Sequence, residues 1–220
     1  KQQENDSPFF LYMPFNTPHY PLHAPQNYMD RFAHLPRARQ LMVAMLTVMD
    51  DAIGAILDEL EGLGIFDNTC IVFQPDHGPS REPRNWTDGC EDPYPGGDTG
   101  GLRGHKGILW EGGIRVPTLM SWPDRFEGGK TITEVGIGMD IFPTFLQAAG
   151  GDPSQYTLDG TDILSMVTDG APSPHGDLFW TRGPKGNERA IRHETFKLYL
   201  NGEGVHLSDL ETDPGESVNL

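Results

Sequence analysis

Positive charge is scarce in this chain: 16 Lys and Arg stand against 32 Asp and Glu, a formal charge of −16 over 220 residues. A surface so acidic repels phosphate backbones and anionic membranes, which sets nucleic acid aside as a partner. No uninterrupted apolar run approaches the roughly 20 residues of a transmembrane helix, so no membrane span is expected. The opening residues, KQQENDSPFF, have neither a signal-like apolar core nor an initiator Met, and the chain reads as a soluble piece of something longer. Cysteine is rare as well. Cys70 lies in an apolar run and Cys90 in a Gly/Pro-rich segment, compatible with a disulfide, with free thiols or with a partner outside the chain, and they fix no compartment.

What is present organises the chain as α/β. Phe9–Met13 reads as a strand buried on both faces, followed by a loop, PFNTPHYPLHAP, whose four prolines bar helix and central strand. From about Arg37 to Leu60 apolar residues recur at Leu41, Met45, Val48, Met49, Ile53, Ile56 and Leu60, the spacing that gathers one face of a helix. Gly62 and Gly64 stop it. Thr69–Phe73 reads as a second buried strand, so strand, helix and strand suggest a right-handed crossover between parallel strands. Val116–Trp122 predicts a third strand and Asp140–Ala149 a short helix. Beyond about residue 175, short alternating runs predict a small antiparallel sheet. The expected domains are 1–150 and 151–220, with the boundary in the polar stretch 150–175.

The chemistry gathers around three elements. Asp76 and His77 follow the apolar run Cys70–Phe73 and precede Gly78. Adjacent side chains on an extended segment point apart, so the two can meet one ion only if the chain turns, which Gly78 permits. On spacing alone, a turn beside a satisfied histidine remains open. Arg103-Gly104-His105-Lys106-Gly107, followed by Glu111-Gly112-Gly113-Ile114-Arg115-Val116-Pro117, lets a backbone and a lysine point charge approach a small anion. A plain turn with a solvated Lys106 fits that spacing equally well. Thr17-Pro18-His19-Tyr20-Pro21 presents an imidazole from a rigid loop, or only a structural histidine. Residues 79–107, rich in Gly and Pro and without a period, read as a functional loop.

Taken in order, PFFLYMPFNTPHYPLHAP, the helix containing Met49-Asp50-Asp51-Ala52-Ile53-Gly54, DNTCIVFQPDHG, LRGHKGILWEGGIRVP and LSDLETDPGESVNL resemble successive landmarks of the type I sulfatases, in the alkaline-phosphatase superfamily. The resemblance runs over nearly the whole chain. It implies a partial alkaline-phosphatase-like mixed sheet flanked by helices, then a small C-terminal antiparallel sheet subdomain. It implies hydrolysis of sulfate esters, those of carbohydrates ahead of simple aryl sulfates, with a sulfated small molecule or glycan as substrate, in the periplasm or outside the cell. By position, Asp76 would be a carboxylate ligand to Ca2+ and His77 would fill the adjacent ligand position, where many family members carry Asn. Lys106 matches the lysine that contacts sulfate, and His19 the histidine near the ester oxygen. His105 and Arg103 are further anion contacts, with Arg115 ranked below them. The family motif Cys-x-Pro-x-Arg or Ser-x-Pro-x-Arg, whose first residue becomes formylglycine, is absent; Cys90-Glu91-Asp92-Pro93 and Ser80-Arg81-Glu82-Pro83-Arg84 carry proline one position late. The expected partner is therefore an N-terminal segment bearing that nucleophile, without which the chain should be inactive. Two other readings stay in view: a phosphodiester or phosphonate hydrolase of the same superfamily, and a non-catalytic binding module.

Overall fold

The computed structural model describes residues 8–81, 97–184 and 187–220. They divide into two compact units, interleaved along the chain: residues 16–122 with 177–220, and the residues up to 15 with 123–176.

The larger unit begins with α1 (Gln26–Arg31) and α2 (Arg37–Gly62). Each helix starts directly after a proline, Pro25 or Pro36, whose ring fixes φ and whose missing N–H costs nothing at a helix start. Of the apolar stripe foreseen for α2, Leu41 and Met45 are buried, with Ala44 beside them, against Leu22 and Met29. Gln40 Nε2 donates to the Met29 carbonyl at 2.8 Å, and the Tyr28 hydroxyl donates to Asp51 at 2.8 Å. By length and composition alone α2 is apolar enough to cross a membrane, although no uninterrupted apolar run marks it. Its remaining apolar residues, including Leu46, Ile53 and Leu57, line a groove of about 580 Å³ whose other wall holds Ile71, Phe73 and Leu119.

Strand β1 (Ile71–Phe73) pairs with β2 (Leu119–Ser121), Val72 opposite Met120. The pairing is antiparallel and joins the second and third of the expected strands, so it is not the crossover expected from Phe9–Met13. Phe9–Met13 is not a strand either: Phe10 and Tyr12 are 74% and 76% exposed, and among the described residues no strand pairs with this segment. Apolar character alone predicted that strand, but a strand needs a hydrogen-bonding neighbour. The third strand is shorter than expected because Pro117 lacks an N–H for the ladder.

The predicted C-terminal sheet is present as a meander of β3 (Asp177–Arg182), β4 (Glu188–His193), β5 (Phe196–Asn201) and β6 (Gly204–Asp209) in sequence order. Leu178, Ala190, Lys197, Tyr199 and Ser208 are buried, whereas Phe179, Phe196, Leu198, Leu200 and Val205 are exposed. The buried side packs on Leu109 and Trp110, just ahead of the short helix α3 (Glu111–Ile114).

The smaller unit centres on α4 (Ile141–Ala148), with a 3₁₀ turn at Gly138–Asp140, and α5 (Leu164–Thr168). Asp140 is fully buried. Its carboxylate accepts from the N–H groups of Ile137 at 2.8 Å and Thr161 at 2.9 Å, and faces His175 Nε2 at 2.8 Å. Three donors on one carboxylate satisfy a buried charge and tie three loops together.

Candidate functional site

The turn after β1 carries the first pair. Asp76 Oδ2 lies 3.3 Å from His77 Nε2, so the chain does turn enough to bring both side chains together. His77 Nδ1 lies 2.7 Å from the Gly78 carbonyl; an N–H must occupy that contact, so Nε2 is the nitrogen that would turn its lone pair to a metal ion shared with the carboxylate. With Nε2 unprotonated, an imidazole nitrogen and a carboxylate side by side suit a divalent cation, and the carboxylate supplies the hard oxygen that such an ion prefers. The pair is a half set: among the described residues no three His, Cys, Asp or Glu side chains converge.

Gly78 is required by close approach rather than by an unusual φ. A Cβ there would sit 1.8 Å from the Gly112 carbonyl oxygen, and one on Gly113 would sit 2.1 Å from that of Ile108. The bare backbones interlock: Gly78 N–H donates to the Gly113 carbonyl at 3.0 Å, and Lys106 N–H to the Pro79 carbonyl at 2.8 Å. The Asp-His-Gly turn and the segment from Arg103 to Ile114 are thus one hydrogen-bonded assembly.

Lys106 leaves this assembly to meet His19. The Lys106 ammonium lies 3.1 Å from His19 Nε2, across 87 positions of sequence. His19 Nδ1 is 2.7 Å from the Tyr20 carbonyl, so Nδ1 carries the hydrogen and Nε2 accepts from the lysine. His105 shows the same local habit, with Nδ1 2.9 Å from the Lys106 carbonyl, and it too keeps Nε2 available. Arg103 is otherwise engaged: its guanidinium stacks 3.8 Å from the centroid of Trp110 and donates to the Glu216 carbonyl at 3.0 Å. Arg115 lies 3.9 Å from Glu111. A cavity of about 380 Å³ adjoins the turn, with His77, Asp98, Thr99 and Arg115 on its wall.

The sequence reading overlooked a buried ionic triad. Lys197 on β5, with a side chain 0% exposed, lies 2.9 Å from Glu111 Oε1 and 3.1 Å from Glu216 Oε1. The other Glu216 oxygen accepts the Glu111 backbone N–H at 2.6 Å. Burial pushes the Glu216 carboxyl up, and the Lys197 ammonium pulls it back. The run Phe196-Lys197-Leu198-Tyr199-Leu200 did place Lys197 on the face of Tyr199, but nothing local separates an inward lysine from a solvated one. Cys70 is a free thiol, pushed up to about 11 by burial; Cys90 and the near-motif at Glu82–Arg84 lie outside the described residues.

The chain as a whole has known relatives. The family profile described as Sulfatase matches residues 1–151, and that of the N-sulphoglucosamine sulphohydrolase C-terminal region matches residues 104–220. The chain is 31% identical to arylsulfatase A of Homo sapiens over 96% of its own length and 39% of that protein, and 33% identical to an arylsulfatase of Hemicentrotus pulcherrimus over 94% of its length and 35% of that one. The solved structure of Ps i-CgsB in complex with k-i-k-neocarrahexaose superposes with a TM-score of 0.81 at 29% identity, over 98% of this chain and 46% of the other. The chain thus spans less than half the length of these relatives. Sulfatases generally use a divalent metal and a formylglycine, and the Asp76–His77 pair provides the donor types that such a metal takes. With its α/β architecture, its C-terminal antiparallel sheet and both profiles in register, the chain belongs to the sulfatase family of the alkaline-phosphatase superfamily.

Proposed function

We propose that these 220 residues supply the sulfate-contacting half of a sulfatase active site whose substrates are sulfate esters of carbohydrates, acting in the periplasm or outside the cell. The observation that carries the reading is the Lys106–His19 contact at 3.1 Å, held to the Asp76-His77-Gly78 turn through the Lys106 N–H bond to Pro79. A sulfate monoester brings one fixed negative charge and, as its S–O bond breaks, a developing alkoxide. Lys106 answers the first need as a compact point charge toward a sulfate oxygen. His19 answers the second: its Nδ1–H is committed to the Tyr20 carbonyl, so Nε2 is the atom through which a proton reaches the departing oxygen. When an anion draws the ammonium away, Nε2 is freed to take a proton from solvent, forming the imidazolium, and to pass that proton on to the alkoxide. Asp76 and His77 would hold a divalent cation, Ca2+ in our reading, which polarises the sulfate oxygens when bound. His105 and Arg103 rank behind Lys106 as anion contacts, Arg103 because its guanidinium already serves Trp110 and Glu216. Support for a carbohydrate ester comes from the relative solved with a named neocarrahexaose.

The test is hydrolysis of 4-nitrocatechol sulfate and of a sulfated oligosaccharide, by this chain alone and by a polypeptide of the relatives' full length containing it. The chain alone should show no turnover, because no residue in it matches the formylglycine position. The longer polypeptide should turn over both, and Lys106→Ala should lower its kcat/KM by about 10²–10³-fold, the usual loss for one anion-stabilising donor. Faster hydrolysis of phosphonate esters than of sulfates would move the assignment to the phosphorus branch of the superfamily. Turnover by the isolated chain, or an unaffected Lys106→Ala enzyme, would defeat the reading.

A further inference from the structure

We propose that Lys197, Glu111 and Glu216 act as positioning residues, a buried ionic lock that fixes the segment carrying Lys106 against His19. The proposal rests on the sulfatase reading only for its bearing on catalysis; the positioning itself is a structural statement. Three observations lead to it.

The first is placement. Glu111 stands five residues beyond Lys106, where the segment from Arg103 closes on itself through the Gly112 N–H bond to the Arg103 carbonyl at 2.7 Å. That closure is gripped by the C-terminal sheet, through Lys197, and by the tail beyond it, through Glu216. Lys197 and Glu216 hold Glu111, and the Glu216 carbonyl holds Arg103. The opposite edge of the segment is bonded to the Asp-His-Gly turn at Gly78 and Pro79. A shift of Glu111 therefore cannot be absorbed locally; it must move the Lys106 backbone or break one of these bonds.

The second is conformation. Glu216 has φ +52, one of two non-glycine residues in the left-handed region among those described. A side chain that only filled space would be replaced there by glycine without strain. Keeping glutamate accepts that strain in exchange for a carboxylate at this point.

The third is chemistry. Burying one cation and two carboxylates is a poor way to gain stability, because desolvation offsets most of the attraction. What such a cluster provides is a geometry that no apolar packing reproduces, since loss of Lys197 would leave two buried carboxylates without a counter-charge and loss of Glu216 would leave the Glu111 N–H without its acceptor. The segment it fixes is the one that carries Lys106.

The test reads the Lys106–His19 contact directly in the 220-residue chain. The probe is the 15N resonance of His19 Nε2, with Lys106→Met as the reference for a lost contact and the exposed His193–Asp177 pair on β3 and β4 as the control. The neutral triple variant Lys197→Met, Glu111→Gln, Glu216→Gln leaves no buried charge and keeps the side-chain shapes. The expected result is a folded protein whose His19 signal moves most of the way to the Lys106→Met value while the His193 signal stays. A folded triple variant with the wild-type His19 signal overturns the proposal. If the triple variant does not fold, Glu216→Gln, which retains an acceptor for the Glu111 N–H, is read by the same criterion. In the full-length polypeptide the folded variant should lose at least tenfold in kcat with a smaller change in KM. The resonance measurement needs no turnover, so a failed lock and a failed sulfatase assignment give different results.

Discussion

At the scale of single residues, the site is shaped as much by missing atoms as by charged ones. Gly78 has no room for a Cβ, whose nearest neighbour would be the Gly112 oxygen at 1.8 Å. Gly78→Ala must therefore push the Asp76–His77 turn off its backbone partner, and the loss should reach about 1–3 kcal/mol, the range for overpacking a tight site. Gly54, inside α2, has nothing within 4 Å of the same point, so Gly54→Ala should instead stabilise by about 0.5–1 kcal/mol through helix propensity. Urea unfolding of the two variants checks the pair, and equal shifts in one direction would contradict this account of Gly78. Asp76, His77, Lys106 and His19 are legible through the ordered stretches that resemble the sulfatases, and the meeting of Asp76 with His77 through the turn that Gly78 permits. The Lys106–His19 contact is not, since a separation of 87 residues leaves no local trace.

At the scale of elements, period decided what could be read. The three-and-four spacing placed α2 and the alternation placed the C-terminal sheet, although α2 buries only the part of its stripe around Leu41 and Met45 and the run from Arg189 to Leu200 folds as two strands, β4 and β5. Phe9–Met13 has strand-like residues but no pairing partner among the described strands, and pairing is not written in a five-residue run. Alternation on β5 gives a direct test. Tyr199 is 2% exposed, its ring 4.5 Å from that of Trp110, and its hydroxyl donates to Glu188 at 2.8 Å. Its neighbour Leu200 is 39% exposed. Tyr199→Ala should cost about 3–5 kcal/mol and Leu200→Ala well under half of that, the difference between emptying a core site and trimming a surface one. Denaturant midpoints measure both, and a larger loss at Leu200 would mean that the outer face of the sheet is the one that carries the fold.

At the scale of the whole molecule, the least legible feature is the triad that joins the sheet to the segment bearing Lys106, because it depends on which way one lysine points in three dimensions. Its energetics show in the pH dependence of global stability. Two effects oppose each other at Glu216: burial raises its pKa above the ordinary 4.5, and the Lys197 ammonium lowers it, with burial the larger. A carboxyl raised on folding keeps its proton in the native state at a pH where the unfolded chain has already released it. The native state then binds more protons than the unfolded one, and stability falls as pH rises from the ordinary value to the folded one. Glu216→Gln has no such proton, so the stability of the wild-type chain minus that of the variant should decline as pH is raised from about 4.5, the ordinary value. Urea unfolding at a series of pH values measures that difference. A difference that grows with pH would mean that attraction to Lys197 outweighs desolvation, and the buried triad would then be a source of stability as well as of position.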